Sequence, residues 1–287
     1  MVAYSLFCKW YVSILYRHVG FIGALPAEPQ WHVASAFVLK VGGRWLLFTA
    51  GHVVQKWKFD QSQGAIADQW KISDALAGAR FPEVPFDPDF GKWIAIDDDS
   101  IGIDLAFVEL RELYARQLHA GGITPPDDVW WLTDAPHDCS PWLIFGTPEE
   151  RVSREASGRV VFKPTMLPVR PLTELPPEVR LAKPLGKNLI FAQVVDLPME
   201  PGEEQIKDMA GMSGGPVVGV RQPDDPAGDH STLHIVGIQS GWLPNSRVAT
   251  IYPLRGVLEI IERHMAPDKM NSVGGGGGSV EYRTTTD

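Results

Sequence analysis

Gly211-Met212-Ser213-Gly214-Gly215-Pro216 is the stretch on which the reading of this chain turns: a serine set among glycines, just ahead of the predicted strand Pro216 to Val220. A serine hydroxyl is a poor nucleophile near neutral pH. It needs a neutral imidazole to take its proton and a buried carboxylate to hold that imidazole in one tautomer. Both partners have candidates upstream: His52 in Phe48-Thr49-Ala50-Gly51-His52-Val53-Val54, and Asp104 at the head of Asp104-Leu105-Ala106-Phe107-Val108-Glu109-Leu110. Taken singly, a Ser-Gly-Gly is a turn, a histidine a satisfied core or surface residue, and an aspartate before an apolar run its polar boundary. Together and in the order His, Asp, Ser, they point to nucleophilic catalysis.

The wording around the three residues resembles the chymotrypsin/trypsin-like serine peptidases, most closely bacterial, intracellular-type members. That family carries T-A-x-H, D-[IL]-A-[VLF] and G-x-S-G-G-P, and Thr49 to His52, Asp104 to Phe107 and Gly211 to Pro216 match in turn, over a region from about residue 30 to residue 265. The resemblance implies an all-β fold of two six-stranded antiparallel β-barrels with a C-terminal α-helix. On it, residues 1–125 form a barrel carrying His52 and Asp104, and residues 126–265 form a second barrel and helix carrying Ser213. It also implies the chemistry: Ser213 attacks a substrate carbonyl, His52 accepts and returns the proton, and Asp104 orients His52. The backbone N–H groups of Gly211 and Ser213 receive the oxyanion. No cofactor or metal is expected, and the partner is a protein or peptide substrate.

Further family features carry over with departures. Val236-Gly237-Ile238-Gln239-Ser240-Gly241-Trp242 is similar to the family's G-I-V-S-W-G strand, which implies substrate contacts at Gln239, Ser240, Gly241 and Trp242, with Ser240 beside the catalytic carboxylate. Here Gly precedes Trp, the reverse of the family order. Lys207 lies six residues before Ser213, where trypsin-type members carry the acid that selects basic side chains; Asp208 is its neighbour. Met212 replaces the aspartate with which zymogen members bind a newly cut N-terminal ammonium group, so activation by N-terminal insertion is not expected.

Gly211 to Gly215 also satisfies the G-x-S-x-G elbow of α/β-hydrolases. That fold orders its triad Ser, acid, His, and the histidines after the serine are His230, His234 and His264, in a tail too short and strand-like for several βα units. The order of residues therefore favours the peptidase resemblance.

Composition fits. A chain of 287 residues with 44% hydrophobic content can bury a two-barrel core. With 26 Lys+Arg against 35 Asp+Glu, the net charge of -9 gives no support for nucleic-acid binding and mildly repels acidic substrates. Cys8 and Cys139 could form at most one bridge, and the economical expectation is two buried thiols in a reducing, cytoplasmic compartment. Tyr11 to Tyr16 is apolar but too short to cross a bilayer and reads as a strand.

Short apolar runs separated by Gly/Pro/Asp-rich turns mark an all-β chain. Ala34 to Lys40 and Arg44 to Thr49 read as a hairpin that delivers His52 to its end. Trp93 to Ile96, Leu105 to Leu110, Trp130 to Thr133, Pro141 to Gly146, Gly158 to Lys163, Leu189 to Val195 and Leu233 to Ile238 read as further strands. Arg111 to Gln117 is a short helix or turn, Gly121 to Asp128 the crossing between barrels, and Pro253 to His264 a helix with Leu254, Val257, Leu258 and Ile261 on one face. His230 and His234 lack further zinc ligands, and Asp97-Asp98-Asp99 reads as a solvated turn. Residues 266–287, with five glycines from Gly274 to Gly278, read as a flexible linker and tail. Besides the peptidase, two other functions are open: a peptidase-like binding or scaffolding module, and an effector protease gated by a regulatory partner.

Overall fold

The computed structural model describes residues 9–22, 29–73, 83–98, 100, 102–131, 139–155, 160–177, 179, 189–195, 205–221 and 232–265. Cys8, Asp99, His230, residues 198–204 and the tail 266–287 lie outside them. Among the described residues no helix is long and apolar enough to cross a membrane.

The first half is an antiparallel sheet of β1 (Tyr11–Phe21), β2 (Gln30–Val41), β3 (Arg44–Thr49), β4 (Ala65–Ser73), β5 (Val84–Pro85), β6 (Ile94–Asp98) and β7 (Ile103–Glu109), in the order β5-β4-β1-β2-β3-β7-β6. The predicted hairpin is β2 and β3: Val41 pairs with Arg44 across Gly42 and Gly43, whose φ values of +56° and +81° give the two-residue turn that follows strand twist. Two helices attach to this sheet, α1 (Gly51–Ser62) and α2 (Glu112–Ala120).

Strand periodicity explains why the sheet is apolar on both faces. Side chains alternate, so Tyr11, Phe37, Leu39, Leu46, Phe48, Leu105 and Phe107 enter one buried cluster, while Val12, Ile14, Ala36, Val38, Leu47, Ala106 and Val108 enter another. The second cluster is closed by Val54 and Trp57 of α1 and by Tyr114 and Leu118 of α2. The first faces the other half of the chain.

That half is a closed six-stranded barrel. Its strands are β8 (Trp142–Gly146), β11 (Thr165–Pro171), β12 (Ile190–Val194), β13 (Pro216–Arg221), β14 (Thr232–Leu243) and β15 (Val248–Pro253), closing as β11-β12-β15-β14-β13-β8; a small hairpin, β9 (Val152–Arg154) with β10 (Val160–Phe162), stands apart. Trp142, Ile144, Met212, Val217, Val236 and Ile251 fill the barrel. Leu143, Phe145, Val218, Ile235 and Tyr252 point outward into the cluster shared with the first sheet, together with Leu254, Val257, Ile260 and Ile261 of α3 (Leu254–Met265). This is the expected all-β arrangement of two β units and a terminal helix. The second unit is the closed six-stranded barrel expected; the first is not a six-stranded barrel but a seven-stranded sheet, in which the two-residue β5 adds to the edge of β4 and, among the described residues, the end strands β5 and β6 do not pair with each other.

Trp130 to Thr133 is not a strand where it is described. Residues Asp128–Trp130 form a single 3-10 turn and Trp131 makes one isolated bridge to Ile235. Its indoles serve packing instead: Trp10 and Trp130 meet edge to face at 5.6 Å. The crossing before it runs back along the first sheet, with Thr124 N–H donating to Lys9 O and Lys40 N–H to Pro126 O.

Candidate active site

His52 stands in the first turn of α1, whose N-terminus begins at Ala50 without a side-chain cap. The first N–H groups of a helix have no intrahelical acceptor. Here the missing cap comes from the facing strand: His52 N–H donates to Asp104 Oδ1 at 2.8 Å, while the ring Nδ1 lies 2.7 Å from Oδ2. An ionised carboxylate only accepts, so Nδ1 carries a proton and, in the neutral ring, Nε2 keeps its lone pair. The Asp104 side chain is 11% exposed and that of His52 49%, so the carboxylate is enclosed and the imidazole is open to an incoming group. The hydrogen bond to Asp104 raises the His52 pKa above the ordinary imidazole value; burial opposes this, and the charges of Asp104 and Asp97 reinforce it.

Ser213 is half-buried on the turn between Ala210 and β13. Three of the five N–H groups from residue 211 to residue 215 are bonded: Met212 to Met209 O at 2.9 Å, Gly214 to Gln239 O at 2.9 Å and Gly215 to Met212 O at 3.0 Å. The other two, those of Gly211 and Ser213, have no acceptor among the described residues. Ala210 O accepts from Glu149 N–H at 2.8 Å. In a planar trans peptide the N–H points opposite to its carbonyl, so the Gly211 N–H faces away from Glu149.

Glycine is required at two places in this turn. Gly211 and Gly214 have φ values of +87° and +84°. A Cβ on Gly214 would lie 2.2 Å from Ala50 N, and one on Gly211 2.8 Å from Thr147 O. The serine turn is thus pressed directly against the backbone that leads into His52, which joins the two halves of the chain at the site.

The other sequence-predicted site residues are placed as follows. Gln239 is buried; its backbone exchanges bonds with Gly214 and Gly215, and its Nε2 donates to Gly241 O at 2.9 Å. Ser240 directs its hydroxyl to Thr250 O and Oγ1, both at 3.3 Å, and Asp104 takes both its hydrogen bonds from His52. Gly241 approaches Thr250 so closely that a Cβ would lie 2.6 Å from Oγ1. Trp242 packs on the barrel core. Lys207 and Asp208 are both exposed; Lys207 N–H donates to Glu150 Oε1 and Asp208 Oδ1 accepts from Ala210 N–H. Met212 is fully buried inside the barrel, where a charge would be costly. Among the described residues no group of three His, Cys, Asp or Glu could hold a metal.

One part of the surroundings went unread in the sequence: Ser35, Tyr11, Ser13 and Thr147 are buried and hydrogen-bonded to one another behind Gly211. The available signal was polarity out of place, since Ser13 and Ser35 interrupt apolar strands.

No protein-family model matches the chain, and no curated protein matches it by sequence. Among solved structures the chain is similar to the Rv3671c protease from M. tuberculosis in its active form, with a TM-score of 0.41 and 14% identity, covering 91% of this chain and 82% of that one.

Proposed function

We propose that the chain is a trypsin-like serine endopeptidase that cleaves protein or peptide substrates through an acyl-enzyme intermediate, without cofactor. The division of labour follows the chain, with His52 and Asp104 in a unit ending near residue 125 and Ser213 in the unit from residue 126 to residue 265. The observation that carries the reading is the coincidence of two features at one place. One is a carboxylate-held imidazole with Nε2 open. The other is a serine turn whose unbonded N–H groups are those of Gly211 and Ser213.

In the first step Ser213 Oγ attacks the scissile carbonyl carbon and its proton passes to His52 Nε2. The C=O π bond becomes an oxyanion, received by the Gly211 and Ser213 N–H groups. Collapse re-forms the carbonyl and breaks the C–N bond, the leaving amine taking the proton from His52. Water then repeats the sequence, releasing the acid and restoring Ser213. Ser240, Gly241 and Trp242 offer β14 as the strand on which substrate backbone is aligned, Gln239 behind them being taken up in holding the serine turn, with Lys207 and Asp208 at the rim that sets side-chain preference.

The test is labelling by a fluorophosphonate probe. Wild-type protein is expected to be labelled at Ser213, and Ser213→Ala and His52→Ala to be unlabelled while retaining the wild-type circular dichroism. Equal labelling of wild type and His52→Ala would reject an activated serine. Labelling that appears only after a second protein is added would favour the partner-gated reading.

A further inference from the structure

Behind the serine turn, the face of the first sheet that looks toward the barrel carries three hydroxyls where apolar side chains would be expected. Tyr11, Ser13 and Ser35 are fully buried, and Thr147, which follows β8, is buried with them. β1 and β2 are in register so that Ser13 faces Ser35 and Tyr11 faces Phe37. Ser35 Oγ donates to Gly211 O at 2.6 Å, accepts from Thr147 N–H at 2.8 Å and lies 3.4 Å from the Tyr11 hydroxyl. Tyr11 OH in turn lies 2.7 Å from Thr147 Oγ1 and accepts from Ser13 Oγ at 3.1 Å. A hydroxyl has one proton and two lone pairs, so Ser35 is saturated and its proton is committed to Gly211.

This matters because of where Gly211 O belongs. The two carbonyls that flank Gly211 are both held, Ala210 O by Glu149 N–H and Gly211 O by Ser35. Fixing the peptide planes on either side leaves the Gly211 N–H a single direction, although glycine at φ +87° has no side chain to resist rotation. The residue before the serine cannot supply a polar anchor from within the turn, since Met212 is in the apolar barrel interior.

We propose that Ser35, backed by Tyr11 and Thr147, is a positioning residue that sets the oxyanion-binding peptide from the opposite half of the molecule. The proposal rests on the peptidase reading above and adds a residue that touches neither substrate nor the reacting atoms. A phosphonyl oxygen occupies the same N–H groups as the oxyanion, so phosphonylation kinetics report the device without knowledge of the substrate. Ser35→Ala is expected to lower the maximal phosphonylation rate at least about 10-fold, part of the roughly 100- to 1,000-fold attached to one oxyanion donor. The half-saturating probe concentration should stay within about twofold, and the acid limb of the pH profile, set by His52, should not move. Ser35→Thr keeps the donor and should recover most of the rate, whereas Ser35→Val, isosteric with that threonine but without a hydroxyl, should not. Ser13→Ala, which removes only a bond to Tyr11, should remain within about threefold of wild type.

Labelling of wild type with an unchanged rate in folded Ser35→Ala would overturn the positioning role and leave the peptidase reading intact. Absence of labelling in wild type would instead remove the reading on which the role rests. If the Ser35 variants do not fold, hydrogen exchange in wild type decides. Thr147 N–H, donating to a buried Ser35 Oγ, should be strongly protected, and exchange at an open-loop rate would overturn the proposal.

Discussion

Asp104 uses each carboxylate oxygen for a different purpose, one capping the helix that carries His52 and the other fixing the His52 ring. Asp104→Asn should therefore do more than remove a charge. An amide offers an N–H to Nδ1 and favours the wrong tautomer, and a loss of about 10,000-fold in kcat is expected, with the variant still folded. The cap is worth about 1 kcal/mol, so thermal denaturation should register only a modest fall. The raised pKa of His52 gives a second test. The base must be neutral to act, so the acid limb of kcat/KM should lie above about 6.5, the ordinary imidazole value, and should fall in Asp104→Asn. For stability the sign is the reverse. The pair stabilises the fold fully below the ordinary imidazole value, and that contribution is lost as pH rises through the raised value of His52. A stability difference between wild type and Asp104→Asn that grows, instead of shrinking, as pH rises through the raised value of His52 would contradict this assignment.

At the level of elements, Gly214 is the contact through which the serine turn meets the residues leading into α1. Gly214→Ala combines a left-handed conformation, about 1–2 kcal/mol, with a Cβ placed 2.2 Å from Ala50 N, and overpacking of that kind costs about 1–3 kcal/mol more. Loss of labelling together with a fall of about 2–5 kcal/mol in urea-unfolding free energy is expected. Trp57 is the largest buried side chain of α1, meeting Trp70 at 5.0 Å and Tyr16 at 5.4 Å, and Trp57→Ala should cost about 3–5 kcal/mol. This helix was not legible in the sequence. Its residues show little one-sided periodicity, only Gly51, Val54 and Trp57 are buried, and its cap lies on another strand, 52 residues away in sequence. β11 was hidden for a local reason: Pro168 and Pro171 argue against a strand paired on both sides. The β2–β3 hairpin, β7, β13 and α3 were readable because their apolar spacing and turn glycines agree with their burial. The triad candidates were readable for a different reason, as each sits in a short motif whose neighbours the backbone requires, whereas Ser35 sits in a strand that is ordinary apart from its hydroxyl.

For the whole molecule, Met212 belongs to the same buried apolar cluster as Trp142, Ile144 and Val217, a place where a newly cut N-terminal ammonium group would be costly to bury. Removal of the first residues alone should not be what switches on labelling, which probe kinetics before and after limited aminoterminal proteolysis will show. Chelators should also leave labelling unchanged; inhibition reversed by zinc would point to His234 with His230. The largest apolar cluster among the described residues belongs to neither half: Phe37, Phe48 and Phe107 of the sheet, Phe145, Ile235 and Tyr252 of the barrel, and Ile260 and Ile261 of α3 share it. Neither half can melt without stripping the other of its inner wall. Calorimetry should accordingly give one heat-absorption peak with a calorimetric to van 't Hoff enthalpy ratio of about 1, in place of the paired transitions of tethered independent modules. Co-expression of the chain as two pieces severed in the Gly121–Asp128 crossing should then behave as a split reporter, each piece insoluble alone and hydrolytic activity returning only when the two fragments reassemble.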